Sequence, residues 1–369
     1  MYLLGAMSRV SLPYQRATII VATLGISIFA DSAVQAVTRQ SGHTQVAIPD
    51  AQKTQQLHET KGARLQLISN TTKVRNIWFI ESSGSRDLHF SQACAIESAS
   101  LHNPAFFITL LTTGQLAASC EYCRILQTLP NFRSVRTDND QAFLSSPMEA
   151  WYSSKMDNHS KYHVEHLSDA LRYVTLWWHG GIYLDLDVIT MKSLDSLTNC
   201  LVLEESGRPT NSILIFDKSH RFLATVMKKC AEVYNPSEWT TCGPNLLQSL
   251  YQDKESSAQN LTFLKAETFL AIEWKRWKWF FEQTKTTAVF QEVRESYGVH
   301  LSNHLSKHAT FKIGSGCAYE LLAVWNCPRT YQHLVSKNRS SVIASYCFSL
   351  HIISSIIHIF TYLYYSRNT

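Results

Sequence analysis

Charged residues are scarce in this sequence, and no stretch of it is a long run of lysine and arginine. Asp, Glu, Lys and Arg make up 17% of the 369 residues, and the formal net charge is only +5. The one strongly basic segment, WKRWKW, interleaves its charges with tryptophan. Nucleic-acid binding is therefore not favoured, because such proteins concentrate lysine and arginine on one face. With 45% hydrophobic residues, the composition instead indicates a globular protein with a large core.

No apolar run near the N-terminus is long enough for a comfortable membrane span. Arg9 and Arg16 precede the apolar stretch Ala17–Ala30, which is shorter than the roughly 18 to 20 residues of a spanning helix and resembles a signal-peptide core. Extended past Asp31 to Val37, the same segment could still span a thin membrane. The arginines ahead of it predict a cytoplasmic N-terminus and a lumenal body.

Large apolar residues are also scarce over residues 38–73, where Gln, Thr, Ser and Lys dominate, so we predict a flexible stem there. N-glycosylation patterns occur at Asn70, Asn158, Asn260 and Asn338. Each match is weak by itself, and all of them require a lumenal body.

Paired cysteine motifs at zinc-ligand spacing are missing as well. The nine cysteines fit an oxidising compartment, in which eight can pair and one remains free. Cys120 and Cys123 form a single C-x-x-C motif, for which a disulfide or structural role is favoured over a metal or redox site.

The most informative stretch is SDALRYVTLWWHGGIYLDLDV, which begins at Ser168. Ser168 is a good N-cap, and apolar residues then recur at helical spacing, which predicts a helix of about three turns. Gly180 can end this helix in a left-handed conformation. Asp169 and Arg172 are three residues apart, so they share a helix face and can address one ligand.

From Gly181 the period changes to two, which predicts a strand with Tyr183, Asp185 and Asp187 on one side. Two carboxylates this close repel each other unless a cation or donor groups compensate them. Hard divalent ions accept such oxygen ligands and commonly complete their shell with substrate phosphates. An isolated Asp-X-Asp triplet is usually a solvated turn, but the capped helix, glycine turn and apolar strand together indicate a functional site.

This stretch resembles the donor-binding region of Asp-X-Asp glycosyltransferases, in which S-D-x-x-R and a helix precede G-G-x-Y-x-D-x-D. The chain is also similar to the animal α1,4-glycosyltransferases, because six more segments occur in that family's order. They are NIWFIESS, QACAIESASLHNP, SSPMEAWY, NSILIFDKSH, GPNLL and YGVHLSN. The resemblance covers about Val74 to Leu334 and is far more specific than the triplet.

Apolar and helix-compatible segments alternate from Val74, which predicts an α/β sheet with crossovers. The resemblance implies more, namely a GT-A fold, a single Rossmann-like nucleotide-sugar domain over residues 74–334. It also implies an uncleaved type II anchor in the Golgi membrane, with a cytoplasmic tail over 1–16, the signal anchor over 17–37 and a lumenal catalytic domain. Residues 335–369 form an extension that departs from the family.

By the same resemblance, the activity is that of a retaining hexosyltransferase that uses Mn²⁺ and a UDP-sugar. The expected reaction transfers galactose from UDP-galactose, in α1,4 linkage, to a terminal galactose of a glycosphingolipid such as lactosylceramide. Alternatives are transfer of N-acetylglucosamine or N-acetylgalactosamine to glycolipid or glycoprotein glycans, and a non-catalytic Golgi glycan-binding relative. A metal-dependent phosphohydrolase would also use paired aspartates, but it gives no reason for Asp169 with Arg172.

The resemblance also implies roles for individual residues. Asp187 would bind the ion directly, Asp185 would bridge the ion and the ribose or sugar, and His300 would complete the metal shell. Asp169 and Arg172 would hold donor hydroxyls and phosphate, the arginine as a planar multiple donor.

Three further residues, Tyr183, Trp151 and Asn303, are assigned to the donor site. Trp151 is equally compatible with the core, and a lone histidine such as His300 is most often structural. His166 is expected to be a satisfied surface or hinge histidine.

Two segments keep open interpretations. AETFLAIEWKRWKWFFEQ, residues 266–283, predicts an aromatic helix packed on the core, with a platform for a glycan or lipid acceptor as the alternative. Residues 342–365 are apolar and long enough to span a bilayer, so they are either a second membrane contact or a non-homologous extension.

Overall fold

The computed structural model describes residues 75–156, 159–253 and 260–338. The chain divides into two units, Met1–Leu65 and Gln66–Thr369, and every described residue belongs to the second. The predicted cytoplasmic tail, signal anchor, stem and apolar C-terminal segment 342–365 lie outside the described residues. Within the described ranges, no helix is both long and apolar enough to cross a bilayer.

The strands of the described part form a mixed seven-stranded sheet and a two-stranded sheet. They are β1 (Asn76–Glu81), β2 (Phe107–Thr112), β3 (Phe132–Arg136), β4 (Gly181–Leu184), β5 (Val188–Thr190), β6 (Cys200–Leu203), β7 (Pro209–Phe216), β8 (Thr262–Leu264) and β9 (Gly298–His300). The large sheet has the order β3-β2-β1-β4-β7-β6-β8, and β5 pairs with β9. Strands β1 to β4 run parallel, whereas β7 is antiparallel to β4.

Helices connect the strands and cover the large sheet. They are α1 (Phe90–His102), α2 (Glu121–Leu126), α3 (Asn139–Phe143), α4 (Glu149–Ser154), α5 (His163–His179), α6 (Arg221–Val233), α7 (Pro244–Gln252), α8 (Thr286–Glu292), α9 (Asn303–Ser306), α10 (Ala318–Asn326) and α11 (328–338).

Strand β1, helix α1 and strand β2 follow one another as predicted, and they form the parallel crossover unit of an α/β protein. β1 is buried at every residue, which explains why its sequence, NIWFIE, is a nearly continuous apolar run. The α/β class is therefore confirmed, and the mixed sheet agrees with the GT-A-like arrangement that the resemblance implies.

The central helix and strand differ from the prediction at their ends. Helix α5 begins at His163, and Ser168 lies inside it, where its hydroxyl accepts a hydrogen bond from Arg172 at 2.9 Å instead of capping the helix. Gly180 ends α5 with a φ of 65° and a ψ of −173°, so its φ is positive as predicted, but the residue is not in the left-handed helical conformation. Strand β4 ends at Leu184, because the chain leaves β7 there and turns to pair with β9 through β5. Both aspartates of the triplet therefore lie in a turn.

The aromatic segment is not the single α-helix that we predicted. It forms three short 3₁₀ turns, Ala266–Thr268, Trp274–Phe280 and Gln283–Lys285. Phe280 is buried in the core, whereas Trp274 is 46% exposed. Its aromatic side chains are therefore divided between the core and the surface.

Six of the eight cysteines in the described residues are paired. The disulfides are Cys94–Cys327, Cys120–Cys123 and Cys230–Cys242. Cys200 and Cys317 are buried free thiols, so the expectation that eight cysteines pair is wrong, and Cys347 lies outside the described residues. The disulfide interpretation of the C-x-x-C motif is confirmed.

Removal of the Cys94–Cys327 disulfide should destabilise the fold more than removal of Cys120–Cys123. The sequence separations are 233 and 3, and a crosslink that closes a longer loop removes more entropy from the unfolded chain. We expect paired alanine substitutions at Cys94 and Cys327 to cost roughly 2 to 5 kcal/mol, and those at Cys120 and Cys123 clearly less. Thermal unfolding of the full chain in detergent without reductant measures both, and equal shifts of the midpoint would contradict the expectation.

Candidate active site

The acidic residues meet at the carboxyl edge of the large sheet. Helix α5 ends before Gly180, and the chain reverses there. Strand β4 therefore runs back alongside the last turns of α5. The helix from Arg172 to Gly180 rises about 12 Å, and the four residues of β4 extend about 13 Å, so Arg172 returns to the level of Asp185. The helix and the strand thereby present their polar groups to the same place.

The short β5–β9 pair brings a distant histidine to the same edge. His300 is the register partner of Val188, the residue after Asp187. Its Nε2 lies 3.2 Å from Oδ1 of Asp187 and 4.0 Å from Oδ2 of Asp185. The structure therefore brings together the three residues that the sequence predicts as metal ligands.

Asp187 is held in place by two backbone N–H groups of the residues that follow His300. Its carbonyl accepts from the Leu301 N–H at 3.1 Å, and its Oδ2 accepts from the Asn303 N–H at 2.5 Å. The structure thus uses the backbone of Asn303, whose exposed side chain we had assigned to the donor. The chain reaches this position through Ser302, which has a φ of 54° and caps α9.

Arg172 is buried, and every nitrogen of its guanidinium contacts another protein group. Nη1 donates to the Asn211 carbonyl at 2.7 Å and lies 3.1 Å from Oδ1 of Asp185. Nη2 donates to Ser168 and lies 3.2 Å from Oδ1 of Asp169, and Nε donates to the Ser168 carbonyl. The guanidinium thus contacts two carboxylates of the site, and its expected contact with a donor phosphate stays a prediction.

Asp169 lies on the same face of α5 as Arg172, as predicted, and its environment is almost closed. Its Oδ1 accepts from the Asn211 amide at 2.8 Å. A Cβ atom at Gly243 would lie 3.0 Å from Oδ2 of Asp169 and 3.2 Å from the Asn211 amide nitrogen, so a larger residue there would require one of these side chains to shift. Sequence reasoning missed Asn211, although a polar residue inside the apolar strand NSILIF is a usable signal.

Two of the predicted donor-binding aromatic residues are buried. The Tyr183 hydroxyl donates to Oδ1 of Asp185 at 2.6 Å, and Arg172 lies over its ring at 4.5 Å. Trp151 packs in the core against Phe143 and Tyr234, and its indole N–H has no partner among the described residues. Tyr183 thus orients an acidic ligand, whereas the structure corrects Trp151 to the core.

The close approach of these charges shifts their pKa values. Burial raises the pKa of Asp169 to about 6 although Arg172 opposes it, and burial also raises the pKa of Asp185. Burial disfavours the charge of Asp187, but His300 and backbone hydrogen bonds more than offset this, so the pKa of Asp187 is lowered. Burial opposes protonation of His300, yet the charges of Asp187 and Asp185 raise its pKa to about 9.

The triad of Asp185, Asp187 and His300 fits a divalent cation. One ligand atom from each residue lies within 4.8 Å of the other two. Carboxylate oxygens with one imidazole nitrogen are a donor set that Mn²⁺ and similar ions accept. The ligand side chains are supported by further groups, since Tyr183 and Arg172 hold Asp185 and a backbone N–H holds Asp187.

A polar groove of about 560 Å³ opens at the same edge of the sheet, and sequence analysis did not predict it. Its lining includes Thr113, which follows β2, and Arg136 and Asp138 at the end of β3. Because β2, β3 and β4 are parallel, the groove and the aspartate turn lie at one edge, where α/β proteins bind ligands.

Two family descriptions match this chain. Residues 215–334 match the alpha 1,4-glycosyltransferase conserved region, and residues 90–202 match the glycosyltransferase sugar-binding region containing the DXD motif. The second range contains the triplet of Asp185 and Asp187, and the first contains His300.

Curated relatives agree with both matches. Lactosylceramide 4-alpha-galactosyltransferase of Rattus norvegicus is 31% identical over 270 residues, which are 70% of this chain and 75% of the relative. The Mus musculus protein of the same name is 30% identical over the same shares. Alpha-1,4-N-acetylglucosaminyltransferase of Homo sapiens is 28% identical over 286 residues, 73% of this chain and 83% of the relative.

Solved structures are more distant. The apo-form glycosyltransferase GlyE of Streptococcus pneumoniae TIGR4 is 14% identical, with a TM-score of 0.42, and the match covers 72% of this chain and 64% of that one. PaToxG glycosyltransferase is 16% identical, with a TM-score of 0.39 and coverage of 70% and 84%. The family assignment rests on the sequence matches, and these scores add nothing to it.

Replacement of Asp169 by asparagine should remove a pH-dependent cost from the stability of the fold. The pKa of Asp169 rises from 3.8 to about 6 in the folded protein, so folding favours its protonated form. The stability that protonated Asp169 contributes to the folded state is therefore present at low pH. It is lost as the pH rises from about 4 to above 6. Relative to Asp169→Asn, the free energy of unfolding of the wild type should fall by roughly 2.4 kcal/mol between pH 4 and pH 7.

Chemical unfolding of both proteins in EDTA at several pH values measures this difference. Asp138→Asn, a change of an exposed carboxylate, is the control. A wild type and an Asp169→Asn variant with parallel stability profiles would show that the Asp169 carboxyl titrates normally.

Proposed function

The chain belongs to the α1,4-glycosyltransferase family and is a hexosyltransferase, and from its site we propose that it transfers galactose from UDP-galactose to a terminal galactose. The new linkage would be α1,4, and the acceptor a glycosphingolipid with a lactose headgroup. The rat and mouse relatives carry the name of this activity, which supports galactose over N-acetylglucosamine.

One observation carries the proposal. Asp185, Asp187 and His300 converge within 4.8 Å, next to the buried pair of Arg172 and Asp169. A phosphohydrolase needs only the first group, whereas a transferase must also position a sugar donor. The side chain of Asp169 keeps about a tenth of its surface exposed beside the acidic triad, so it can still accept a hydrogen bond from a donor hydroxyl, and this second group favours transfer.

Asp185, Asp187 and His300 would hold Mn²⁺. When bound, the ion stabilises the negative charge that develops on the diphosphate leaving group, without a proton transfer. Arg172 opposes the effect of burial on the pKa of Asp185 and orients its carboxylate, since its Nη1 lies 3.1 Å from Oδ1 of that residue. Tyr183 fixes the same oxygen from the other side at 2.6 Å.

Asp169 is the remaining acidic group of the donor side. It projects from α5 beside Gly243, where it would accept hydrogen bonds from donor hydroxyls. The acceptor 4-hydroxyl would attack C1 of the donor sugar on the face that the diphosphate leaves, which retains configuration. The nucleoside end of the donor would lie toward the polar groove of Thr113 and Arg136 at the same sheet edge.

We further propose that the protein is a single-pass type II protein of the Golgi membrane with a lumenal catalytic domain. The apolar segment 17–37 follows two arginines, and three disulfides in the described residues fit an oxidising lumen. The cytoplasmic tail would be residues 1–16, the stem 38–73 and the catalytic domain 74–334.

Asp187→Asn should abolish transfer. We expect the full chain, produced in eukaryotic cells and solubilised in detergent, to make an α1,4-galactosylated product from UDP-galactose, Mn²⁺ and a lactose-headed glycolipid. The variant should lose at least about a hundredfold in rate, the scale of removing one electrostatic partner of the leaving group. Mn²⁺ should raise the unfolding temperature of the wild type and not that of the variant, which tests the metal site without turnover.

Glu295→Gln, a change of an exposed carboxylate, is the matched control and should keep full activity. Turnover with UDP-N-acetylglucosamine or UDP-N-acetylgalactosamine alone would keep the site and replace the donor. Full activity in Asp187→Asn would contradict the metal site, and a folded wild type that transfers from none of the three donors would contradict the proposed function.

The lumenal orientation predicts a glycan on Asn260. This residue is exposed and has a φ of 57°, and it begins the pattern Asn-Leu-Thr ahead of β8. The full chain expressed in animal cells should shift in gel mobility after treatment with an N-glycosidase, and Asn260→Gln should lose one step of that shift. Asn245→Gln, at an exposed asparagine outside such a pattern, is the control. A full chain that shows no shift at all would contradict the lumenal orientation.

A further inference from the structure

An exposed aromatic pair lies outside the residues used so far. Trp239 is 40% exposed, in the segment 234–243 that joins α6 to α7. Its ring is stacked on the ring of His304 in α9, with 4.1 Å between the centroids and 25° between the planes. A single exposed tryptophan is ordinary, but here two segments far apart in sequence build one flat aromatic surface.

The segment that carries Trp239 is fixed to helix α5. The buried side chain of His166 contacts the carbonyl of Glu238, the residue before Trp239, through Nε2 at 2.9 Å. The Tyr173 hydroxyl donates to the Cys242 carbonyl at 2.8 Å, and Cys242 is also in a disulfide with Cys230. The segment that carries the Trp239 indole is therefore fixed before a ligand binds. Binding then costs less conformational entropy of the protein.

Both halves of the pair adjoin the acidic site. Trp239 lies four residues before Gly243, where an added Cβ atom would be 3.0 Å from Oδ2 of Asp169. His304 follows Asn303, whose N–H donates to Oδ2 of Asp187. The contact between the two rings therefore joins the turn that borders Asp169 to the turn that borders Asp187.

We propose that the Trp239–His304 pair is the platform on which the terminal sugar of the acceptor stacks during transfer. This inference rests on the proposed function, since it names the acceptor subsite of the same reaction. The ligand class is a pyranose of galactose configuration, which binds through its apolar face to the exposed surface of the indole.

The stereochemistry of galactose supports this occupant. In the chair form of β-galactose, the C–H groups at C3, C4 and C5 form an apolar patch on one face of the ring, and the axial 4-hydroxyl projects from the other. A ring that rests its C–H patch on Trp239 turns its 4-hydroxyl away from the indole. The hydroxyl that must attack the donor is then left free, whereas an equatorial 4-hydroxyl would lie along the platform.

The other exposed tryptophans have different surroundings. Trp274 lies in the basic 3₁₀ segment with Lys275 at 5.4 Å from its ring, and Trp325 contacts Phe290 on α8. Neither contact belongs to a turn that touches Asp169 or Asp187. A single exposed tryptophan near a lysine, such as Trp274, is typical of contact with lipid headgroups. A fixed stacked pair beside the site, such as Trp239 with His304, is better placed to bind a sugar ring.

The test is steady-state kinetics of the full chain in detergent with a soluble lactoside that has no lipid tail. We expect Trp239→Ala to raise the KM for the lactoside roughly tenfold, the scale of one aromatic stacking contact. The KM for UDP-galactose and the slow hydrolysis of UDP-galactose without acceptor should not change, because those depend on the donor side. Trp239→Phe should restore most of the acceptor affinity, and His304→Ala should show a smaller loss.

Trp325→Ala is the matched control for removal of an exposed indole and should leave the acceptor KM unchanged. Trp239→Leu keeps apolar bulk without a flat face and replaces Trp239→Ala if that variant unfolds. An effect confined to the glycolipid acceptor would assign the pair to the lipid and overturn the inference. If the wild type transfers galactose and Trp239→Ala has an unaltered KM for the lactoside, the inference about the acceptor platform is overturned while the proposed function stands. A wild type that neither transfers from nor hydrolyses any donor would overturn both the inference and the proposed function.

Discussion

The site depends on the compensation of three carboxylates that are largely withdrawn from water. Asp169, Asp185 and Asp187 would repel one another and favour protonation if no positive charge lay between them. Arg172 contacts the first two, and His300 contacts the last two. Removal of one partner from such a buried group leaves a charge without compensation, which costs more than the pair itself contributes. The positions of α5, β4 and the β5–β9 pair are therefore tied to one another through charge as well as through packing.

The local half of this arrangement could be predicted from sequence because helix and strand periods fix it. Asp169 and Arg172 share a helix face at a spacing of three. Tyr183 and Asp185 are two residues apart, and the Tyr183 hydroxyl still reaches Oδ1 of Asp185 although β4 ends at Leu184. The glycine turn then returns the strand along the helix, so the four groups meet without any long-range information. Even so, the Ser168 cap was misplaced, since a serine can bond to a side chain one turn later as well as to a helix end.

The site residues that arrive from distant parts of the chain could not be predicted from helix and strand periodicity. His300 reaches the site because β9 pairs with β5, and only the family resemblance predicted that position. Asn211 reaches it because β7 runs antiparallel to β4. For Trp151, residue type alone did not separate a core position from a nucleotide contact, and burial decided it. The expected contact of Arg172 with a phosphate stays a prediction for a related reason. A motif names the residue, whereas the protein groups around it determine which of its N–H donors are used.

One face of α5 connects the donor-binding residues of the site to the segment that carries Trp239. His166, Asp169 and Tyr173 recur at spacings of three and four, so they lie on one side of the helix, where an interior helix would ordinarily carry apolar residues. Each is buried and each reaches a different part of the 211–243 region: His166 the Glu238 carbonyl, Asp169 the Asn211 amide, Tyr173 the Cys242 carbonyl. A buried polar group stabilises only when it is satisfied, so these partners fix the segment 234–243 against the helix. A displacement of α5 would then move Asp169 and Trp239 together, which keeps donor and acceptor groups in register.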